Sequence, residues 1–73
     1  MNTTYRVYYL NDEERDYAGT IMLCNMRTAT VTRALRERGY LQLPRVSVGG
    51  DGYNLIVRHH GEPVLCVEGA DHA

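Results

Sequence analysis

The chain has 73 residues and a net charge of −1, with eight arginines, no lysine and nine acidic residues. A chain this short buries only about 60% of its unfolded surface, which predicts a single domain over residues 1–73 and argues against a cleft deep enough for a cofactor. The near-zero charge excludes a strong overall attraction to nucleic acid or to an anionic membrane, so an electrostatic partner must be recognised by a local patch.

The first part of the sequence is typical of a strand hairpin. Residues 4–10 (TYRVYYL) are rich in Tyr and Val and alternate between two faces, which predicts a strand. Residues 11–16 (NDEERD) predict a polar, acidic loop. Residues 20–24 (TIMLC) are an apolar run too short for a helix and follow Gly19, so they predict a second, antiparallel strand.

A helix is predicted over residues 26–38 (MRTATVTRALRER). Asn25 or Thr28 is the candidate N-cap, and Gly39 occupies the left-handed position expected after a helix end. At about 100° per residue, a narrow apolar stripe is formed by Val31, Ala34 and Leu35. The opposite side carries Thr32, Arg33, Arg36 and Glu37. A stripe of such small side chains requires packing against a sheet.

Three further strands complete the predicted order β-β-α-β-β-β. After a connector at 40–44, the strands are residues 45–48, 53–58 and 64–68, joined by turns at 49–52 (GGDG) and 60–63 (HGEP). Residues 69–73 predict a frayed tail. This order predicts an α+β fold in which a single helix packs on one face of a five-stranded antiparallel sheet.

The motifs that suggest catalysis or metal binding are incomplete. His59 and His60 are neighbours on a strand and point to opposite faces, and the acidic loop lacks the EF-hand pattern. The GGDG turn lacks the spacing and the Lys-Ser/Thr of a phosphate-binding loop. Cys24 and Cys66 both fall in predicted strands, which favours buried, inert thiols over nucleophiles. We therefore expect no enzymatic activity, no cofactor, no metal site and no small-molecule substrate.

The cysteines and the hydropathy pattern bear on cellular location. The two cysteines lack CxxC spacing, which fits free thiols in a reducing compartment. The apolar runs are shorter than a membrane span, and the first residues lack the pattern of a signal peptide. We expect a cytoplasmic protein without membrane contact.

Arginine side chains supply the first candidate binding surface. Arg33 and Arg36 lie on the outer helix face, Arg38 lies at the helix end and Arg45 follows the connector. Together they would form a ridge for phosphates or carboxylates, both of which a guanidinium binds in bidentate fashion. The alternative is that arginine favours helices, especially near their C-termini, and only solubilises this face.

The second candidate surface is the sheet face that points away from the helix. If Val7, Leu55 and Val57 point inward, the open face carries Arg6, Tyr8, Asn54, Ile56 and Arg58. Tyr and Arg on an open face have the composition of a protein-interface hot spot. A register slip of one residue would reverse this assignment.

The predicted order of elements and several individual residues match a known family. The matching residues are Tyr5, Gly19, Thr20, Ala34, Gly52, Leu55 and Gly61, most of them at turns or in the core. On these residues the chain resembles, at low identity, small phage-encoded anti-CRISPR proteins that inhibit type I-F RNA-guided surveillance complexes. In that family, the C-terminal end of the helix contacts the backbone subunits and blocks the groove where target DNA pairs with guide RNA.

The resemblance implies a partner and a set of contacts. Arg36 and Arg38 stand at positions of the family's contact residues, whereas Val31 and Thr32 replace its earlier basic residues, with Arg33 adjacent. The leading hypothesis is a phage or mobile-element inhibitor that binds a ribonucleoprotein in the cytoplasm of a bacterial host cell.

Three alternatives remain open from the sequence. A small nucleic-acid-binding or regulatory domain would use the same arginines on DNA or RNA directly, although the near-neutral charge implies at most weak non-specific DNA contact. A structural subunit would complete a larger assembly through its open sheet face. An enzyme would require the cysteines and histidines to converge in space.

Overall fold

One five-stranded antiparallel sheet and one helix make up residues 2–70, the part of the chain that the computed structural model describes. The elements in chain order are β1 (Thr3–Asn11), β2 (Glu14–Leu23), α1 (Thr28–Glu37), β3 (Val46–Gly50), β4 (Asn54–His59) and β5 (Glu62–Gly69). The strands lie in the order β2-β1-β5-β4-β3, so β2 and β3 are the two sheet edges. The predicted α+β class and element order are confirmed.

The first hairpin is longer and tighter than the sequence suggested. Strand β2 begins at Glu14, and Asn11 pairs with Glu14 across a two-residue turn in which Asp12 has a φ of 54°. The predicted acidic loop at 11–16 is therefore wrong. The charged side chains of this segment remain in solvent, as they would in a loop, but its backbone forms the antiparallel ladder with β1. The pairing shifts between Val7 and Tyr8, which places a β-bulge in the middle of β2.

The helix begins later than predicted and has no side-chain cap. Its N-cap residue is Arg27, and neither Asn25 nor Thr28 caps it. The side chain of Asn25 instead accepts a hydrogen bond from the backbone N–H of Arg27 at 2.9 Å, which closes the turn that leads into the helix.

The end of the helix follows the prediction. Gly39 has a φ of 79°, the left-handed conformation that glycine adopts without steric cost. The N–H of Gly39 donates to the carbonyl of Arg36 at 3.1 Å, and the N–H of Tyr40 donates to that of Leu35 at 2.9 Å. These two bonds form a Schellman motif, which directs the connector back towards the sheet.

The core lies between α1 and one face of the sheet. Val31 and Leu35 are fully buried there, as predicted. Thr32 is also buried, contrary to its predicted outward position, because its hydroxyl donates to the carbonyl of Thr28 at 2.8 Å and leaves its methyl free to pack. The remaining buried apolar side chains of this cluster are Tyr5, Val7, Ile21, Leu23, Leu41, Leu55, Val57, Leu65 and Val67.

The meander differs from the prediction at its turns. Gly50 belongs to β3. The turn that follows is closed by the Asp51 carboxylate, which accepts hydrogen bonds from the backbone N–H groups of Tyr53 and Asn54 at 2.9 Å each. Strands β4 and β5 are joined by the two residues His60 and Gly61, with φ of 52° and 80°, as in a type I′ turn.

Strand β5 extends into the segment that was predicted to fray. The N–H of Gly69 donates to the carbonyl of Tyr53 at 2.7 Å, and the N–H of Ala70 donates to the carbonyl of Thr4 at 3.0 Å. Both residues are thus part of the sheet or tied to it, because the ladder to β1 and β4 continues past Glu68. The rest of the predicted tail, 71–73, lies outside the described residues.

Candidate protein-binding surfaces

The helix arginines occupy two different environments. Arg36 donates from its guanidinium to the carbonyl of Leu43 at 2.8 Å and so ties the connector to the helix. Arg33, Arg38 and Arg45 are exposed, and within residues 2–70 their guanidinium groups have no hydrogen-bond or ion-pair partner. These three side chains are therefore available to a ligand.

The four predicted ridge arginines differ in their surroundings. Arg36 turns towards the connector through its bond to Leu43. Arg33 and Arg38 instead border the space between α1 and strand β2. Arg45 precedes β3, has a φ of 56° and does not line this space. Arg33 and Arg38 thus border adjoining depressions, whereas Arg36 forms a hydrogen bond within the chain.

A groove separates α1 from the edge strand β2, and we call it the helix–edge groove. It consists of two adjoining depressions of about 240 Å³ and 230 Å³ that share three lining residues, Met22, Ala34 and Glu37. The other lining residues are Asn2, Ile21, Cys24, Thr30, Arg33 and Arg38. Met22, which lines both depressions, is 59% exposed.

A second groove of about 340 Å³ lies between the connector and strands β1 and β5. Its wall includes Tyr9 and Leu43, both exposed, and its floor includes the buried Leu65. The carbonyl of Leu43 is the acceptor for Arg36, so the position of this wall depends on that hydrogen bond. The groove is mostly apolar, as is typical of a surface that receives a side chain from a protein partner.

The open sheet face has the register expected from the sequence. Arg6 pairs with Glu68, which pairs with Asn54, and Tyr8 pairs with Cys66, which pairs with Ile56. Their neighbours Val7, Leu55 and Val57 are buried on the helix side. Arg6, Tyr8, Asn54 and Ile56 therefore share the face away from the helix.

Charged and aromatic side chains on this open face are already engaged with one another. The Glu68 carboxylate pairs with Arg15 at 3.0 Å and with Arg6 at 3.7 Å. The Arg15 guanidinium lies 4.1 Å above the ring of Tyr8, and Tyr17 meets the same ring edge-on at 5.6 Å. Desolvation lowers the pKa of Arg15, but the hydrogen bond and charge of Glu68 outweigh it, so the net pKa is raised.

Three members of this network were not predicted from the sequence: Arg15, Tyr17 and Glu68. The first was assigned to a loop and the second to no predicted element, so neither was placed on a face. The signal that could have found Arg15 and Tyr17 is their spacing of two residues, which is that of side chains on one face of a longer strand. Arg58, predicted on this face, bonds weakly to the carbonyl of Gly61 at 3.5 Å, close to the turn.

The two cysteines have opposite environments. Cys66 is buried, as predicted, and its sulfur lies 3.1 Å from the side-chain oxygen of Asn54. Burial raises the pKa of the Cys66 thiol, although Arg15 partly opposes this. Cys24 lies beyond the end of β2 and is exposed, so its predicted burial in a strand is wrong.

The histidine pair lies at the β4–β5 turn. The rings of His59 and His60 are 4.0 Å apart in an edge-to-face arrangement, which agrees with a turn-flanking position. Within residues 2–70, His, Cys, Asp and Glu side chains form no group of three that could hold a metal ion. In the same part of the chain, α1 lacks the length and apolarity to cross a membrane.

Comparison of the chain with protein-family models, with curated proteins and with solved structures gives no match.

Proposed function

We propose that this protein is a non-enzymatic inhibitor that binds a type I RNA-guided surveillance complex and blocks the groove in which target DNA pairs with guide RNA. The observation that supports it best is a set of exposed arginines, Arg33 and Arg38 on α1 and Arg45 before β3, which lack partners within residues 2–70. A guanidinium without an internal partner is free to bind the carboxylates of a protein or the phosphates of a ribonucleoprotein.

The surroundings of these arginines favour a protein surface as the main contact. Met22 and Leu43 are exposed apolar residues; Met22 lines both depressions that Arg33 and Arg38 border, and Leu43 accepts the hydrogen bond of Arg36. Met and Arg are enriched at protein interfaces. A standard interface buries about 800 Å² on each partner, about one sixth of the 4875 Å² accessible surface of this chain. The helix end and its two flanking grooves are a suitable place for such an area.

Arg36 contributes to the proposed surface through the connector. Its hydrogen bond to Leu43 fixes the wall of the apolar groove, so its loss would alter the shape of the surface as well as its charge. Variants of Arg36 therefore mix two effects. Arg33 and Arg38 give the cleaner test of partner contact.

Direct binding to nucleic acid is the second candidate, since phosphates also suit unpartnered arginines. Three phosphate contacts give a slope of log affinity against log salt of roughly −2.7, which corresponds to a loss of about 40-fold between 50 and 200 mM salt. A gel shift of DNA or RNA by the isolated protein with this steep salt dependence would favour the second candidate.

A native gel distinguishes the two candidates. Purified protein is mixed with a type I-F surveillance complex, and association and target-DNA binding are both measured. We expect the wild-type protein to associate with the surveillance complex and to abolish its binding of target DNA. The double variant Arg33→Glu/Arg38→Glu should neither associate with the complex nor inhibit it. Arg27→Glu, an exposed change at the other end of the helix, is the control for a charge reversal outside the proposed surface and should behave as wild type. No association of the wild-type protein would refute the proposal.

A further inference from the structure

We propose that the helix–edge groove binds an extended, acidic segment of a protein partner, which pairs with β2 as a sixth strand. This deepens the proposed function and rests on it for the identity of the natural partner. The binding mode itself follows from the backbone of β2, the shape of the groove and the charges at its border.

The backbone of β2 presents unpaired groups along the sheet edge. The N–H of Ala70 donates to the carbonyl of Thr4, so Thr4 directs its backbone groups towards β5. The backbone groups of successive residues in an antiparallel strand point to opposite sides. The backbone groups of Tyr5, the next residue of β1, therefore point towards β2, where Tyr5 pairs with Ile21. By the same alternation, Thr20 and Met22 direct their N–H and C=O groups away from β1. Because β2 is an edge strand, these groups point to the outside of the sheet.

Edge strands in soluble proteins are commonly protected against further pairing by charges or bulges. In β2 both devices lie in the first half, which carries the charged residues Glu14, Arg15 and Asp16 and the register shift. The second half, from Thr20 to Leu23, carries neither. The unprotected half is the part that borders the helix–edge groove.

The opposite wall of the groove is the side of α1 formed by Thr30, Ala34 and Arg38, at a spacing of four residues. The small side chains of Thr30 and Ala34 leave room for a second backbone beside β2. From Thr30 to Arg38 the helix rises about 12 Å, the length of about four residues of an extended chain. A strand held between a sheet edge and a helix is an established mode of peptide recognition.

The charge of the groove indicates an acidic occupant. Two guanidinium groups border it, those of Arg33 and Arg38, against the single carboxylate of Glu37. Neither arginine has an ion-pair partner within residues 2–70. Carboxylates on an added strand would form ion pairs with both arginines, whereas a basic segment would bring further positive charge next to them.

A random peptide library displayed on phage and selected on the wild-type protein alone tests this inference. We expect the enriched peptides to carry Asp or Glu, and synthetic copies to slow amide hydrogen exchange at Thr20 and Met22, measured by NMR, by at least about tenfold. The Arg33→Glu/Arg38→Glu variant should lose these peptides. Because no surveillance complex is present, this result is independent of whether the protein inhibits one.

Two variants at one position separate backbone pairing from side-chain contact. Met22→Pro removes an N–H that points outward and leaves the donors to β1 in place, so it should weaken peptide binding by about tenfold. Met22→Ala keeps the N–H and should bind within about threefold of wild type. Retained amide exchange protection in β1 will show that each variant is folded.

Several outcomes would overturn the inference. These are the absence of enriched peptides, enrichment of neutral or basic peptides, and protection at β3 or on the open sheet face instead of at β2. Light scattering of the free protein could give one further contradictory result. A dimer that is disrupted by Met22→Pro but not by Met22→Ala would show that a second copy of the chain, and not an acidic partner segment, pairs with β2.

Discussion

Replacing Arg36 by alanine should destabilise the fold, whereas the same replacement at Arg33 should not. Arg36 donates to the carbonyl of Leu43 at 2.8 Å and thereby holds the connector, while Arg33 has no partner within residues 2–70. A hydrogen bond from a charged donor contributes about 1.5–3 kcal/mol in general, and solvent exposure of this one reduces the expected value to about 1 kcal/mol. Both positions are exposed in the same helix, so the change in helix propensity cancels between them.

The expected difference is large enough to measure. For a domain of this size, 1 kcal/mol corresponds to a shift in Tm of about 4–8 °C. Thermal and urea unfolding followed by circular dichroism should therefore place Arg36→Ala about 4–8 °C below wild type, with Arg33→Ala within about 0.5 kcal/mol of it. Equal unfolding midpoints for the two variants would show that the hydrogen bond to Leu43 makes no net contribution to stability. The distinction between Arg36 as a structural residue and Arg33 as one available to a partner would then be wrong.

Three further predictions concern the core, the hairpin and the thiols. Leu35→Ala removes a fully buried side chain that joins α1 to the sheet, and the free energy of unfolding should fall by about 2–5 kcal/mol in urea titrations. Gly19→Ala should cost at least about 1–3 kcal/mol, because Gly19 has a φ of 151° and a tyrosine hydroxyl lies against it, while Gly49→Ala, which meets open space, should have a much smaller effect. A thiol probe at neutral pH should modify the exposed Cys24 much faster than the buried Cys66, as read by mass spectrometry of the labelled peptides; similar rates would contradict the burial described above.

The pH dependence of stability offers a check on Cys66. Burial raises the pKa of this thiol in the folded protein, so the native state holds its proton more tightly than the unfolded state does. The resulting stabilisation is complete below the unfolded-state pKa of about 8.5 and is lost as pH rises through the folded-state pKa. The free energy of unfolding of wild type, measured in urea, should therefore fall relative to that of Cys66→Ala over this pH range. Parallel pH profiles for the two proteins would contradict a raised pKa for Cys66.

Local sequence patterns sufficed for the helix end and the sheet register. Gly39 marked the end of α1 because a left-handed residue is needed there, and the alternation around Val7 and Leu55 identified the buried face. Local patterns failed where the structure depends on pairing between strands. The acidic residues from Asp12 to Asp16 look like a loop in isolation, yet the ladder to β1 continues through Glu14.

The candidate surfaces were only partly predictable for the same reason. Composition identified the arginines, but it could not show that Arg36 is bonded to the connector while Arg33 borders a groove, since both depend on the path of the chain after the helix. The outward backbone groups of Thr20 and Met22 have no signature in side-chain chemistry. They follow from the position of β2 at the sheet edge, which is a property of the whole topology.

The most direct test of the proposed function is the affinity of the protein for an immobilised type I-F surveillance complex. Wild type and the Arg27→Glu control should bind with similar dissociation constants. The Arg33→Glu/Arg38→Glu variant should bind at least about tenfold more weakly, since each reversal places a carboxylate where a guanidinium was available. Absence of wild-type binding, or equal weakening by the control and the double variant, would contradict the account.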